Sequence, residues 1–190
     1  MAVDLSLAMD DIVKQAMVKW PNVPHCHGWL GLDARGNWYL RDDQAQSMGG
    51  FASGVPGARG SLIQHAKLIE FIQRNYDVDA AGQWFFQNGP QRVYVELEVA
   101  PWIWRVHEDG TVRSQAGQDV QVSQALIDEQ GRVFLVADLG LGLVHTQDML
   151  HVAEAVDRGV WAPESVEAAE LPARFGYVLS PAEANLKQAH

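Results

Sequence analysis

Two histidines flank the only cysteine of the 190-residue chain, in the order His25-Cys26-His27. In an extended segment, side chains two positions apart point to the same side, so both imidazoles could bind one divalent metal ion. These ligand types favour zinc. The residues that could supply a third ligand are His107, His145, His151 and Asp33. Because none of them stands at a diagnostic spacing, the pattern also fits two loop histidines beside a buried thiol.

A glycine-rich segment over residues 47–60 leads into Arg59-Gly60-Ser61. Ser61 and Gln64 have the spacing of a capping box, which predicts a helix from Ser61 to about Tyr76. The free N–H groups and the dipole of a helix N-terminus favour an anion. The segment is predicted to be a mobile connector, with a site for a small anion at Arg59, Gly60 and Ser61 as the other interpretation.

Charged residues alternate along two predicted strands in the middle of the chain. Glu96 and Glu98 share a face of the first strand, and Arg105 and His107 share a face of its predicted neighbour. In a cleft, carboxylates beside a histidine could perform acid-base chemistry. On an exposed sheet, the same residues would form ordinary cross-strand ion pairs.

The chain is rich in tryptophan, with seven residues of this type. Those on or beside predicted strands are Trp29, Trp38, Trp84, Trp102 and Trp104. Tyr39, Phe85, Tyr94 and Ile103 occupy the alternate strand positions, so they should point to the second face of the sheet. An apolar face is unfavourable in water unless something covers it. The four residues therefore predict an interaction surface for a protein partner or a second copy, with the chain's own C-terminal helix as the alternative cover.

These residues are positioned by hairpins that share one turn sequence. An apolar residue, Asp, two turn residues, Gly, a polar residue and an aromatic or β-branched run follow one another three times, beginning at Leu32, Val78 and Ile127. Asp at the first turn position and Gly at the fourth are typical of a type I turn, with positive φ at the glycine. The glycines concerned are Gly36, Gly82 and Gly131.

Helical patterns follow the first and third copies of this phrase. We therefore predict an α+β fold with a mostly antiparallel, hairpin-built sheet and interleaved helices. Residues 1–28 would form an N-terminal helix, starting near Asp4, and a loop. Residues 29–190 would form the α+β body. Duplication of a hairpin-helix-strand unit is one interpretation, with similar halves at 29–100 and 120–190, and chance recurrence of a common turn is the other.

The composition excludes several classes of function. The net charge of −10 and the absence of a Lys/Arg cluster argue against nucleic acid as a partner. The apolar runs are shorter than the roughly 20 residues needed to span a bilayer. No secretory signal is visible, which predicts a cytoplasmic location. A single cysteine allows no disulfide within the chain.

Two stretches carry a family resemblance: Lys19-Trp20-Pro21-Asn22-Val23-Pro24, followed by Gly28-Trp29-Leu30-Gly31-Leu32-Asp33, and Trp84-Phe85-Phe86-Gln87-Asn88-Gly89-Pro90-Gln91-Arg92-Val93-Tyr94-Val95-Glu96-Leu97. The chain resembles a family of bacterial proteins defined as a domain of unknown function, over nearly its whole length. The hairpin-rich plan is similar to a second bacterial family built from repeated motifs, for which a signalling role has been suggested. Neither resemblance implies a catalytic residue.

The sequence therefore predicts a non-enzymatic binding, interaction or regulatory module. Its partner would be a protein, a second copy or a small anionic ligand. The alternative is a metal-dependent, hydrolase-like enzyme organised by His25 and His27, and zinc is the one cofactor considered.

Overall fold

The computed structural model describes residues 9–190, which form helices and two mixed β-sheets. The helices are α1 (Asp11–Lys19), α2 (Asp43–Met48), α3 (Ala66–Arg74), α4 (Met149–Asp157), α5 (Leu171–Phe175) and α6 (Pro181–Gln188). The strands of the first sheet are β1 (Cys26–Leu32), β2 (Trp38–Leu40), β3 (Ser61–Leu62), β4 (Tyr76–Val78), β5 (Trp84–Asn88) and β6 (Gln91–Leu97). Those of the second are β7 (Trp102–Val106), β8 (Val112–Arg113), β9 (Asp119–Val120), β10 (Val122–Ile127), β11 (Val133–Ala137), β12 (Gly140–Val144) and β13 (Glu164–Ser165). The α+β class is confirmed, whereas the helix start predicted near Asp4 lies outside the described residues.

The chain divides into two compact units. Unit 1 takes in the chain up to Asp33, Asn37–Glu98 and Tyr177–His190, and unit 2 takes in Ala34–Gly36 and Val99–Gly176. Among residues 9–190, no helix has both the length and the apolar character needed to span a membrane.

The sheet of unit 1 has the strand order β3-β2-β1-β6-β5-β4. Neighbouring strands are antiparallel except β1 and β6, which are parallel. Trp38 and Tyr76 are fully buried, with ring centroids 5.4 Å apart and the rings edge to face. Because such aromatic side chains remove large apolar areas from water, they contribute strongly to the stability of this core.

The sheet of unit 2 has the strand order β13-β10-β11-β12-β7-β8-β9. Strand β12 is parallel to β7, and β13 is parallel to β10. The rings of Trp102 and Trp104 stack at 5.8 Å in the core. Each indole N–H finds a backbone acceptor, because Trp102 Nε1 donates to Leu139 O and Trp104 Nε1 to Leu135 O.

The two sheets share an arrangement of six strands, in which β7–β12 repeat the order and pairing of β1–β6. The register repeats as well. The pair Phe85↔Tyr94 recurs 49 positions later as Phe134↔Leu143, and the central parallel pair Leu30↔Val95 recurs as Trp104↔Val144. The predicted duplication of a hairpin-helix-strand unit is not confirmed, because what recurs is a set of strands and turns. The segment 1–28 and the halves 29–100 and 120–190 stay predictions.

The three shared turns form as the sequence predicts. Gly36, Gly82 and Gly131 have φ values of 83°, 81° and 78°. In each turn the leading Asp accepts backbone N–H bonds; Asp128 Oδ1, for example, accepts from Gln130 N and Arg132 N. Local turn chemistry therefore decides these three hairpins.

The helix predicted from Ser61 is wrong. Ser61 begins strand β3, which pairs with β2, and the next helix starts at Ala66 with His65 as its N-cap. Pairing with a neighbouring strand satisfies the backbone of Ser61 and overrides its capping-box spacing.

Candidate functional site

His25 and His27 meet on the ring of Tyr94. His27 stacks on this ring at 4.6 Å, and His25 contacts it edge to face at 5.8 Å. Burial and the neighbouring His25 lower the pKa of His27, which favours the neutral imidazole. Within residues 9–190, however, no group of three or more His, Cys, Asp and Glu side chains could hold a metal ion. The described structure therefore brings the two predicted ligands together without a third.

The glycine-rich segment is held in place by one buried arginine. Arg41 donates from Nε to Ala58 O at 2.8 Å, from Nη1 to Gly28 O at 3.0 Å and from Nη2 to Gly49 O at 2.6 Å. Phe51, inside the segment, is buried. The segment is therefore anchored at Gly49, Phe51 and Ala58, whereas residues 52–57 are exposed, and the mobile connector stays a prediction.

The anion site predicted at Arg59, Gly60 and Ser61 lacks the helix N-terminus on which it depends, because Ser61 lies in a strand. The Arg59 guanidinium lies 2.8 Å from Glu98 Oε2 and 3.6 Å from Asp33 Oδ2. Anion binding at these three residues stays a prediction.

The four residues of the predicted interaction surface are mostly covered by the chain itself. Phe85, Tyr94 and Ile103 are 3%, 5% and 1% exposed, and Tyr39 is half-buried. Ile103 also belongs to β7 in the second sheet, whereas the other three lie in the first. The chain itself therefore covers Phe85, Tyr94 and Ile103, whereas Tyr39 is partly accessible, and the interaction surface stays a prediction.

The charged strand residues also separate. Glu96 lies in β6 of the first sheet and Glu98 just after it, whereas Arg105 lies in β7 of the second sheet and His107 just after it, so the two pairs are not cross-strand neighbours. Glu96 is buried and accepts bonds from Ser180 Oγ at 2.6 Å and Ala182 N at 3.2 Å. Burial raises the pKa of this carboxyl group. Its contacts place it at the start of α6, where it holds the helix rather than a reacting group.

A pocket of about 350 Å³ in unit 2 gathers basic side chains. Its lining residues are Arg35, Gly36, Ile103, Arg105, His107, Arg113, Ser114, Gln115 and Gly117. Among these described residues none is acidic, although the whole chain carries a net charge of −10. Three guanidinium groups are hydrogen-bond donors with no acceptor capacity, so the pocket matches an anion.

Strand pairing brings two of these arginines together. Arg105 in β7 lies directly opposite Arg113 in β8. Like charges at opposite positions of an antiparallel pair are unfavourable unless opposite charges compensate them. Two aspartates do so here. Asp148 binds Arg105, and Asp119 binds Arg113.

Asp148 holds Arg105 through a bidentate contact. Arg105 Nε donates to Asp148 Oδ2 at 2.6 Å and Nη2 donates to Oδ1 at 3.0 Å, while Val106 N also donates to Oδ2. Burial alone would raise the pKa of Asp148, but the bonds from Arg105 and Val106 outweigh it and lower this pKa. The carboxylate therefore stays ionised and fixes the orientation of the Arg105 guanidinium.

The floor of the pocket is tightly packed. Gln115 accepts a bond from Ile103 N at 2.9 Å, which holds its side chain across the end of β7. A β-carbon placed on Gly36, whose φ is 83°, would lie 3.2 Å from Gln115 Cβ. Glycine at this position therefore lets the turn that carries Arg35 approach Gln115 closely.

The corresponding place in unit 1 is filled by the chain. By strand register, Arg105 and Arg113 correspond to Gly31 and Tyr39, since Gly31↔Tyr39 is the matching pair of the first sheet. A β-carbon on Gly31 would lie 2.5 Å from the Phe51 ring, so this ring occupies the space above the sheet. Residues 41–60 join β2 to β3, whereas residues 114–118 join β8 to β9. The short connection in unit 2 leaves its pocket open.

One local signal for this site lies in the hairpin between β7 and β8. Arg105 and Arg113 lie at equal distances on either side of Asp109, in the turn between β7 and β8, so the hairpin places them opposite one another. The participation of Arg35, from a distant turn, has no local signal. It depends on packing between residues far apart in the chain.

Fold and pocket define an α+β protein with two mixed sheets of repeated strand order and a donor-lined pocket in one of them. The chain belongs to the DUF2944 family, whose description is "Protein of unknown function (DUF2946)" and which matches residues 9–182. No curated protein matches the sequence.

Two solved structures are similar to this chain. One is a DUF1285 family protein from Silicibacter pomeroyi DSS-3, with 11% identity and a TM-score of 0.46 over 73% of this chain and 74% of that one. The other is a DUF1285 family protein from Shewanella baltica OS155, with 15% identity and a TM-score of 0.45 over 66% of this chain and 91% of that one.

Proposed function

We propose that this protein is a non-enzymatic binding module that holds a small anionic ligand in the pocket of unit 2. The observation that carries the proposal is the lining itself, which includes three arginines and a histidine, while the two aspartates that pair with Arg105 and Arg113 lie outside the lining. Guanidinium groups bind carboxylates and phosphates through paired N–H donors. The ligand class is therefore a small oxyanion with a carboxylate or phosphate group.

The volume of the pocket limits the size of the ligand. A volume of about 350 Å³ is at the lower end for small-molecule sites, which typically have about 300–1,000 Å³. This space suits a small metabolite and not a polymer segment. Gln115 and His107 add polar side chains next to the arginines.

The lining favours binding over covalent catalysis. The hydroxyl of Ser114, which lies in the wall, accepts from Ala116 N and Gln118 N and donates to Gln118 Oε1. It is therefore fixed within its turn and does not form the nucleophile-base pair that covalent catalysis requires.

Isothermal titration calorimetry with inorganic phosphate and with succinate tests the proposal. Arg113→Gln and Arg35→Gln should each weaken binding about tenfold to hundredfold, because a hydrogen bond to a charged group contributes roughly 1.5–3 kcal/mol. Arg158→Gln is the matched control, since this exposed arginine at the end of α4 does not line the pocket. It should leave the affinity unchanged.

Amide chemical shifts locate the binding. Residues 103–117 should shift when either anion is added. Absence of binding by both anions at millimolar concentration, or equal affinity for the wild type, Arg113→Gln and Arg35→Gln, would refute the proposal.

The broader functional setting also stays a proposal. A cytoplasmic location suits a module that binds a small metabolite, and a protein partner or self-association would give ligand binding a readout. Size-exclusion chromatography with light scattering, with and without succinate, tests the association.

A further inference from the structure

We infer that the two aspartates paired with the pocket arginines act in opposite directions on the ligand: Asp119 competes with it for Arg113, whereas Asp148 orients Arg105 to receive it. The inference rests on the proposed anion site and adds a control of its affinity. It follows from how differently the two aspartates are placed.

Asp148 is built into the structure. Its side chain is 9% exposed, and its two oxygens accept three bonds, two from Arg105 and one from Val106 N. These bonds use Nε and Nη2 of Arg105, so Nη1 is the nitrogen left to face a ligand. An anion that displaced Asp148 would leave a buried carboxylate without its partner, which is strongly unfavourable. Asp148 therefore stays in place and fixes the guanidinium before the ligand arrives, which lowers the entropic cost of binding.

Asp119 is placed as an exchangeable partner. Its side chain is 70% exposed, and its Oδ1 accepts from Arg113 Nε at 2.6 Å. Arg113 lines the pocket and Asp119 does not. Exposed ion pairs of this kind contribute little to stability, so the contact can be broken at small cost. Because Asp119 presents the same oxyanion group as the proposed ligand, it occupies Arg113 in the free protein.

Because Asp119 and Asp148 are placed differently, their substitution should change the affinity for the anion in opposite directions. Asp119→Asn should tighten the binding of inorganic phosphate and of succinate about threefold to tenfold, because it removes a competing carboxylate and a negative charge beside Arg113. Asp148→Asn should weaken binding about tenfold, because Arg105 loses its bidentate partner. Asp157→Asn is the matched control, since this exposed aspartate in α4 does not line the pocket.

A double-mutant cycle separates competition from general electrostatics. In the Arg113→Gln background, Asp119→Asn should give a much smaller gain in the residual affinity, because the contested group is gone and only the removal of a negative charge remains. An equal gain in both backgrounds, or a similar gain with Asp157→Asn, would overturn the competition.

The outcomes also distinguish this inference from the proposed function. Pocket-dependent binding that Asp119→Asn leaves unchanged or weakens would overturn the inference alone. Absence of binding by both the wild type and Asp119→Asn would overturn the proposed function and the inference with it. Since Asp119 is exposed, Asp119→Asn should fold normally even where Asp148→Asn does not.

Discussion

Arg41→Lys should destabilise unit 1 by about 3 kcal/mol or more. Arg41 is buried and donates to three backbone carbonyls at 2.6–3.0 Å, which fix both ends of the glycine-rich segment. Lysine keeps the charge, but a single ammonium group cannot reach three acceptors that a planar fork reaches together. Losing two bonds to a charged donor, at roughly 1.5–3 kcal/mol each, gives the expected magnitude. Typical domains have about 5–15 kcal/mol of total stability, so the loss is large.

Urea unfolding is followed by two-dimensional NMR, because the amide signals of unit 1 and unit 2 then give a separate unfolding transition for each unit. Amides of residues 49–60 should also exchange faster in the variant, since their anchor is weakened. Arg74→Lys is the control. The pair between Arg74 and Asp10 is partly exposed, so this change should cost less than about 1 kcal/mol. A loss below 1 kcal/mol for Arg41→Lys, with unchanged exchange, would refute the reasoning.

Two further predictions concern backbone conformation and a buried acid. In chemical denaturation, Gly60→Ala should lower the free energy of unfolding by more than about 3 kcal/mol, and Gly131→Ala by only about 1–2 kcal/mol. Both glycines have positive φ, but a β-carbon at Gly60 would collide with Leu40 O, whereas one at Gly131 would meet open space. Equal losses would contradict this. Burial raises the pKa of Glu96, so the folded chain binds a proton at this carboxyl group more tightly than the unfolded chain does. The wild type should therefore lose stability as the pH rises from the pKa of Glu96 in the unfolded chain to its pKa in the folded chain. Glu96→Gln should flatten this dependence in urea unfolding at pH 5, 6 and 7, and an unchanged pH profile would contradict the assignment.

Local chemistry explains which elements could be predicted. The Asp-x-x-Gly turns and the start of α6, where Ser180 accepts from Glu183 N, depend on residues within a few positions of one another. The helix predicted from Ser61 had an equally good local signal. This helix does not form because Ser61 pairs with Leu40 in the neighbouring strand, and the residues near Ser61 in the sequence do not indicate that partner.

The three copies of the turn phrase do not all occupy equivalent positions in the two sheets. The second and third copies occupy matching places, between β4 and β5 and between β10 and β11. The first copy matches the turn at 107–110, in which His107 stands where the phrase has Asp. That turn keeps the same backbone pattern, because His107 N donates to Thr111 O as Asp33 N does to Asn37 O, and Gly110 has φ 84°. The backbone pattern of the two turns is therefore the same although the side chain at the first turn position differs.

The pocket depends on two features of unit 2: the residue at one position of β7 and the length of the connection between β8 and β9. In unit 1 the position holds Gly31, and only a residue without a side chain lets the Phe51 ring lie against the strand. In unit 2 the matching position holds Arg105, and an aromatic ring packed against the strand there would clash with this side chain. The connection between β8 and β9, which could supply such a ring, is short. The same surface of the same strand arrangement is therefore closed by the chain in one unit and left to solvent in the other. Arg105 and Arg113 can stand opposite one another at this open position because Asp148 and Asp119 balance their like charges.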